Sequence, residues 1–228
     1  MCGRYTLRLK AEELSEQLNL PFEGGDEWSL SYNVAPSQFV PVLVNEPYPQ
    51  LRLMQWGLIP HWSKPAPGGK AVEGLINARS ETVTEKPAFR DAFRQRRCLI
   101  PADGFYEWKK GTAIKQPFFF GMGDAGLMTF AGLWSRWQPP QGDELETFTI
   151  LTCAPNDLLE VVHDRMPVIV KEEDRSTWLE SRTAEQLKAL LQPYPAEKMV
   201  SHAVSHLVNS PKINSLACIQ PLKGSLGF

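Results

Sequence analysis

The hydrophobic pattern of this chain predicts short helices set among many short strands. Weak alternation from Cys2 to Leu9 predicts an opening strand. From Lys10 to Leu20 the residues Ala11, Leu14 and Leu18 fall on one helical face, acidic residues crowd the first turn, and Pro21 stops the helix. The stretch from Gly24 to Gln50 reads as loop-rich, with an apolar piece around Phe39 to Val44. Leu51 to Trp56 alternates like a strand. Pro60 to Gly74 is a polar, proline-rich loop carrying His61 and Trp62, and long loops in compact domains are often functional. Pro87 to Arg97 reads as a helix with Phe89 and Phe93 one turn apart. Strands are predicted at Arg97 to Pro101, Gly104 to Lys109 and Pro117 to Met122, with Lys110-Gly111 as a hairpin turn. Leu127 to Trp134 and Thr147 to Thr152 form a further antiparallel pair. Asn156 to His163 is a short helix and Pro167 to Val170 a short strand. Glu173 to Glu180 and Ala184 to Leu191 are helices, the second entered from Thr183 as N-cap, and Met199 to Ser205 is a last strand. The expected fold is α+β: a single domain over residues 1–228, built on a curved, largely antiparallel sheet or open barrel with peripheral helices.

Composition narrows the function classes. The 228 residues carry 24 Lys+Arg against 26 Asp+Glu, a net charge of −2, which excludes a global polycation but not a local basic patch. Six basic residues do cluster between Arg79 and Arg97, and a solvated face is the usual reading of such a run. No apolar run approaches the length of a membrane span. The N-terminus becomes charged at once, unlike a signal peptide, so a cytoplasmic protein is expected. Cysteines at 2, 98, 153 and 218 form no CxxC pair and read as free thiols. His202 and His206 lie four apart without the acid of an HExxH motif, so no metal site is expected. Neither a GxGxxG nor a phosphate-loop motif is present, and no cofactor is expected.

Four segments could carry chemistry. Loss of Met1 would leave Cys2 with an α-amine and a thiol two carbons apart. Such an amine, with a pKa near 7.7–8.0, is partly neutral at pH 7. Amine and thiol together trap an aldehyde as a thiazolidine; alternatively the thiol attacks with the amine as its base. Cys2 could equally be a small residue that opens a strand. Asn77 offers both a donor and an acceptor for positioning a carbonyl, and Arg79 is a natural phosphate ligand. Glu107 lies between Tyr106 and Trp108: pointing inward it would hold a proton to donate, pointing outward it would be solvated. Asp103, before a glycine, reads as a turn residue. His163, beside Asp164 and Arg165, suits acid–base work near pH 7 or the capping of a helix end. Trp62 suits base stacking if exposed.

Together these segments carry a resemblance. MCGRY at the start, YNVAP at 32–36, WGLIPHW at 56–62, INARSET at 76–82, RRCLIPADGFYEW at 96–108 and HDRMPVIV at 163–170 resemble, in order, the motifs of the SRAP (SOS response-associated peptidase) family. The likeness covers nearly the whole chain, more weakly after Val170. It implies a sensor of abasic sites in single-stranded DNA that crosslinks to them through the N-terminal cysteine, with self-processing to expose that residue and weak lyase behaviour. It puts the covalent nucleophile on Cys2, the orienting amide on Asn77, and proton transfer on Glu107 and His163. It puts Arg4, Asn33, Arg79 and Arg165 on phosphate or sugar near the lesion and Trp62 against a base. Some bacterial members carry two tryptophans in that loop, where this chain has His61-Trp62. The expected partner is single-stranded DNA with abasic sites, without membrane or metal, bound by a monomer. The alternative is an N-terminal-nucleophile amidohydrolase, because class II glutamine amidotransferases also open with Met-Cys-Gly; the later HDRMP and ADGFYEW segments argue against it.

Overall fold

The computed structural model describes residues 2–21, 28–65, 72–109 and 115–222. Its thirteen strands are β1 (Tyr5–Leu7), β2 (Ser31–Val34), β3 (Phe39–Asn45), β4 (Pro49–Trp56), β5 (Asn77–Arg79), β6 (Arg97–Ala102), β7 (Gly104–Lys109), β8 (Gln116–Met122), β9 (Met128–Trp137), β10 (Leu145–Cys153), β11 (Met166–Pro167), β12 (Ile169–Val170) and β13 (Met199–Ala203). Five short helices join them: α1 (Ala11–Gln17), α2 (Arg90–Gln95), α3 (Asp157–Glu160), α4 (Arg175–Glu180) and α5 (Ala184–Ala189).

The larger sheet closes on itself. β10 pairs antiparallel with β9 and parallel with β4, while β4, β3, β6 and β9 pair in sequence, which completes a ring of five strands. Closure removes the edges that an open sheet would expose. β5 adds to β10 in parallel, with Ile150 opposite Asn77. The smaller sheet runs β13-β8-β7-β1-β2. Its Tyr5 packs on Trp56 and Phe130 of the ring, with centroids 5.3 and 5.9 Å away, and Phe105 meets Phe130 edge-on at 5.9 Å. One apolar cluster therefore runs through both sheets and joins their faces.

The expected α+β fold is present, and the differences are local. β2 lies where the sequence reads as loop. Only Val34 and Asn33 of its four residues are buried, so the hydrophobic signal is weak and pairing with β1 makes the strand. The predicted helix over 87–97 shortens to Arg90–Gln95 because Arg97 already pairs with Leu133 in β6. The predicted strand 167–170 is two pieces: β11 pairs with β10, β12 pairs with β9, and Val168 between them bonds to both. Lys110-Gly111 lies outside the described residues. Thr183 does occupy an N-cap position, but its side chain makes no capping hydrogen bond.

Arg97 locks α2 and α4 to the ring. Its guanidinium is buried and donates to five carbonyls: Phe93 (2.7 Å), Arg94 (2.9 Å), Trp178 (2.6 Å), Leu179 (3.4 Å) and Ser181 (2.6 Å). These are carbonyls at the C-terminal ends of both helices, where a cation is favoured. Lysine has three donors on one point and cannot span them. Arg97→Lys is expected to cost about 2–4 kcal/mol, read as a lowered urea midpoint at unchanged slope.

Candidate active site around Cys2

The antiparallel register of β1 and β7 sets the first contact. Tyr5 lies opposite Phe105 and Thr6 opposite Gly104, and the Tyr106 N–H donates to Arg4 O at 3.0 Å. The same register continues to Gly3 and Glu107, so the chain start runs beside Glu107. Alternation puts Glu107 on the face of Phe105, against the ring, and leaves Tyr106 in a separate cluster with Phe119 and Cys218. Glu107 thus points inward and is 2 % exposed. Burial pushes its carboxyl up to about 7, with a smaller push from the Asp164 charge. Asp103 is the bend between β6 and β7, where it accepts from Thr6 Oγ1 and from Arg8 N at 2.6 Å.

Asn77 reaches Cys2 from the other sheet. Its Nδ2 donates to Cys2 O at 2.8 Å, which pins the main chain at residue 2. Its Oδ1 is buried with no hydrogen-bond partner among the described residues, an acceptor available to an amine or hydroxyl. Cys2 is fully buried, and among the described residues its sulfur's hydrogen bond is a weak donation to Arg4 O at 3.8 Å. Burial pushes the thiol well above the ordinary range, and the Glu107 charge adds to that. The thiol is therefore held in its neutral form.

His163 completes the cluster. α3 is one turn long, capped by Asn156, whose Oδ1 accepts from Leu159 N at 3.0 Å; His163 follows where the chain turns back into β11. Its Nε2 faces Glu107 Oε2 at 3.8 Å. Its Nδ1 accepts from Arg165 N at 3.1 Å and lies 2.9 Å from Asp164 Oδ1. One nitrogen cannot accept from the N–H and donate to the carboxylate in the same state. The pair supplies a partner for either protonation state of the ring, which suits a group that passes protons. Cys2, Asn77, Glu107 and His163 are thus brought together, although Asn77 and Glu107 lie on strands of different sheets and Cys2 and His163 lie outside the strands.

The predicted DNA contacts divide. Arg79 ends β5 exposed, its side chain without a partner among the described residues. Trp62 is 55 % exposed. Its loop is closed at the neck by a bridge between Leu58 and Leu75 and by Gly57 against Gly74, where a Cβ on Gly74 would lie 2.3 Å from Gly57 O. Arg165 is held bidentate by Glu81 at 2.6 and 2.9 Å and also donates to Thr152 O. Arg4 donates to Asn33 Oδ1 (2.8 Å), Val208 O (2.7 Å) and Asn209 O (3.2 Å). Asn33 is buried and its Nδ2 faces three carbonyls, of Val208, Ser210 and Ile213, at 2.9 to 3.2 Å. Both residues therefore strap the 205–222 segment over the small sheet. Asn33→Ala is expected to destabilise the protein by about 2 kcal/mol, because buried carbonyls lose their donor, and to raise amide exchange across 205–222. A DNA-binding defect of that variant would not by itself identify a phosphate contact.

Sequence reasoning did not single out Tyr5 or Trp56. The Tyr5 hydroxyl is buried without a hydrogen-bond partner among the described residues. Its ring packs on Trp56, whose indole N–H donates to Ile76 O at 2.9 Å, next to Asn77. Aromatic residues in two unrelated strands carry no sign that they share one site. Among the described residues no group of three or more His, Cys, Asp or Glu could hold a metal, and no helix is long and apolar enough to cross a membrane. His202 bonds Ile219 O at 2.7 Å.

The family model described as SOS response associated peptidase (SRAP) matches residues 1–211. The chain belongs to the SRAP family. Over 225 residues it is 44 % identical to the abasic site processing protein YoqW of Bacillus subtilis, covering 96 % of this chain and 99 % of that protein. It is 32 % identical to the abasic site processing protein HMCES of Pongo abelii, covering 97 % of this chain and 76 % of that one. A crystal structure of a protein from Bacteroides thetaiotaomicron superimposes with a TM-score of 0.86 at 27 % identity, covering 97 % of this chain and all of the other. The SRAP fold thus extends over the whole site described above.

Proposed function

We propose that this chain captures abasic sites in single-stranded DNA by forming a thiazolidine between Cys2 and the ring-opened sugar. The observation that carries the reading is the Asn77 amide on Cys2 O, which fixes residue 2 beside an inward carboxyl whose pKa lies near 7. The names of the YoqW and HMCES relatives support the same substrate.

Removal of Met1, by self-processing or otherwise, frees the Cys2 amine. The neutral amine adds to C1′ of the open-chain aldehyde, giving a carbinolamine. The protonated Glu107 donates to the departing hydroxyl, water leaves, and an imine forms. The Cys2 thiol then adds across the C=N bond: sulfur bonds C1′, and its proton reaches the nitrogen through the Glu107–His163 pair. The net change is loss of one water. The neutral thiol stays out of the first step and is already in place for the second. Arg79 and Trp62 are the exposed groups placed to meet phosphate and base. β-Elimination from the imine, before the ring closes, would give the weak lyase activity.

The test is a denaturing gel of protein whose mass shows loss of Met1, mixed with an oligonucleotide carrying one abasic site. A shifted band that needs both the lesion and Cys2 is expected. No band, together with glutamine hydrolysis by the same protein, would replace this reading with the amidohydrolase.

A further inference from the structure

A cleft of about 750 Å³ lies on the outside of the ring, between α2 and the α4–α5 pair. It is separate from the Cys2 site. Asn77, Ile150, Gly132 and Cys98 form one cross-strand row and share a face, the face that includes Phe130 and meets Tyr5. Arg97, one residue before Cys98, projects from the opposite face. The ring wall therefore stands between the cleft and Cys2.

The charge of this cleft differs from that of the chain. Arg90, Arg94, Arg97, Arg182 and Lys188 line it against Glu180 alone, five cations and one carboxylate, whereas the whole chain is −2. Several arginines elsewhere are engaged by carboxylates: Arg8 by Asp103, Arg52 by Glu146, Arg136 by Glu46, Glu144 and Glu146, and Arg165 by Glu81. Among the described residues, the exposed side chains of Arg94, Arg182 and Lys188 have no acidic or carbonyl partner, and Arg90 is shared only with Asp91 at 3.7 Å. Arg97 is the floor. Its positive charge is buried and met by carbonyl dipoles and the Trp178 ring, with no carboxylate among its partners in the described residues. The same five bonds fix α2 against α4, so the cleft is formed before any ligand arrives. A concave, preformed site with unpaired guanidinium forks selects anions, and phosphate oxygens fit the forks bidentately. Among the described residues the aromatic ring in its wall is Phe93, which is buried and offers no base-stacking surface.

We propose that this exterior cleft is a second phosphate-binding site, which takes the sugar-phosphate backbone of nucleic acid beyond the nucleotides at the lesion. The proposal rests on the DNA reading above, but it concerns a different face and different residues. It would let one molecule hold an arm of DNA while Cys2 reacts, and it predicts that affinity grows with oligonucleotide length without any change in the crosslinking chemistry.

The test compares the wild type with the double variant Arg94→Gln, Arg182→Gln, both positions being exposed. Lesion-free oligonucleotides of about eight and about forty nucleotides are titrated by fluorescence anisotropy over a salt series. For the long strand the slope of log K against log salt is expected to become shallower by about 1.4, two phosphate contacts at about 0.7 each. The short strand should bind both proteins alike. Crosslinking of a short abasic oligonucleotide should be equal in wild type and variant. An unchanged slope on the long strand would overturn the proposal. A third arm uses inorganic pyrophosphate and a free nucleoside triphosphate in thermal melts. Stabilisation by either that the variant loses, with the long-strand slope unchanged, would assign the cleft to free phosphate compounds and overturn the backbone assignment. If the wild type binds long strands by this cleft yet crosslinks no abasic DNA, the Cys2 reading fails and this one stands.

Discussion

Cys2→Ala, prepared without Met1, is expected to give no adduct on a denaturing gel until borohydride is added, after which a band appears. The substitution keeps the α-amine and removes the thiol. The amine can still condense with the aldehyde, but an imine reverts in water. On the proposed mechanism, ring closure by the thiol would make the wild-type adduct persistent, because an intramolecular nucleophile acts at an effective concentration on the order of 10⁵ M or more when well placed. The buried, neutral thiol sharpens the expectation: it is too weakly ionised to compete in the first step, so its loss should leave the imine step nearly intact. Borohydride trapping of Cys2→Ala at a rate near wild type would fit amine-first attack. Absence of any trapped band, with the fold intact by circular dichroism, would point to the thiol as first nucleophile and sink the order of steps given above.

Glu107→Gln is expected to slow adduct formation by about 10²- to 10⁴-fold, the usual worth of a positioned acid or base. The pH profile should change shape as well. In the wild type the amine gains its neutral form as pH rises toward about 8, while the Glu107 carboxyl loses its proton above about 7. The product of the two is a bell with its maximum between them. In the glutamine variant the falling limb should vanish and the rate should climb to a plateau. Stability moves the other way. A carboxyl whose folded pKa is raised from 4.5 to about 7 makes the native state bind more protons than the unfolded state between those values. Stability is therefore lost as pH rises from 4.5 through about 7, up to roughly 3 kcal/mol. Glutamine carries no such penalty, so the variant should be the more stable protein at pH 8 and the less active one. Denaturant melts at pH 5 and pH 8 check the sign; a pH-independent difference between the two proteins would remove burial as the cause of the raised pKa.

Much of this was legible along the chain. Local signals determined the α+β class, the long strands β9 and β10, and α3 entered from Asn156, because alternation and caps act over a few residues. The chemistry proposed for Cys2 also starts from the sequence, since an amine and a thiol on one residue need no partner to suggest it. What the sequence left open was orientation. Glu107 read equally well inward or outward; the pairing of β1 with β7, nearly a hundred residues apart in sequence, turned it inward and raised its pKa. Asn77 and Cys2 meet because two sheets pack face to face, which no local periodicity encodes. Arg4 and Asn33 look alike as polar residues near a motif, yet the structure spends their hydrogen bonds on the 205–222 segment. The basic run from Arg79 to Arg97 read as one solvated face. Tertiary structure divided it: strand alternation sends Arg79 to the face of Asn77 and Arg97 to the opposite face of the ring, where it is buried, and α2 leaves Arg94 in the exterior cleft, while charge in a sequence carries no direction.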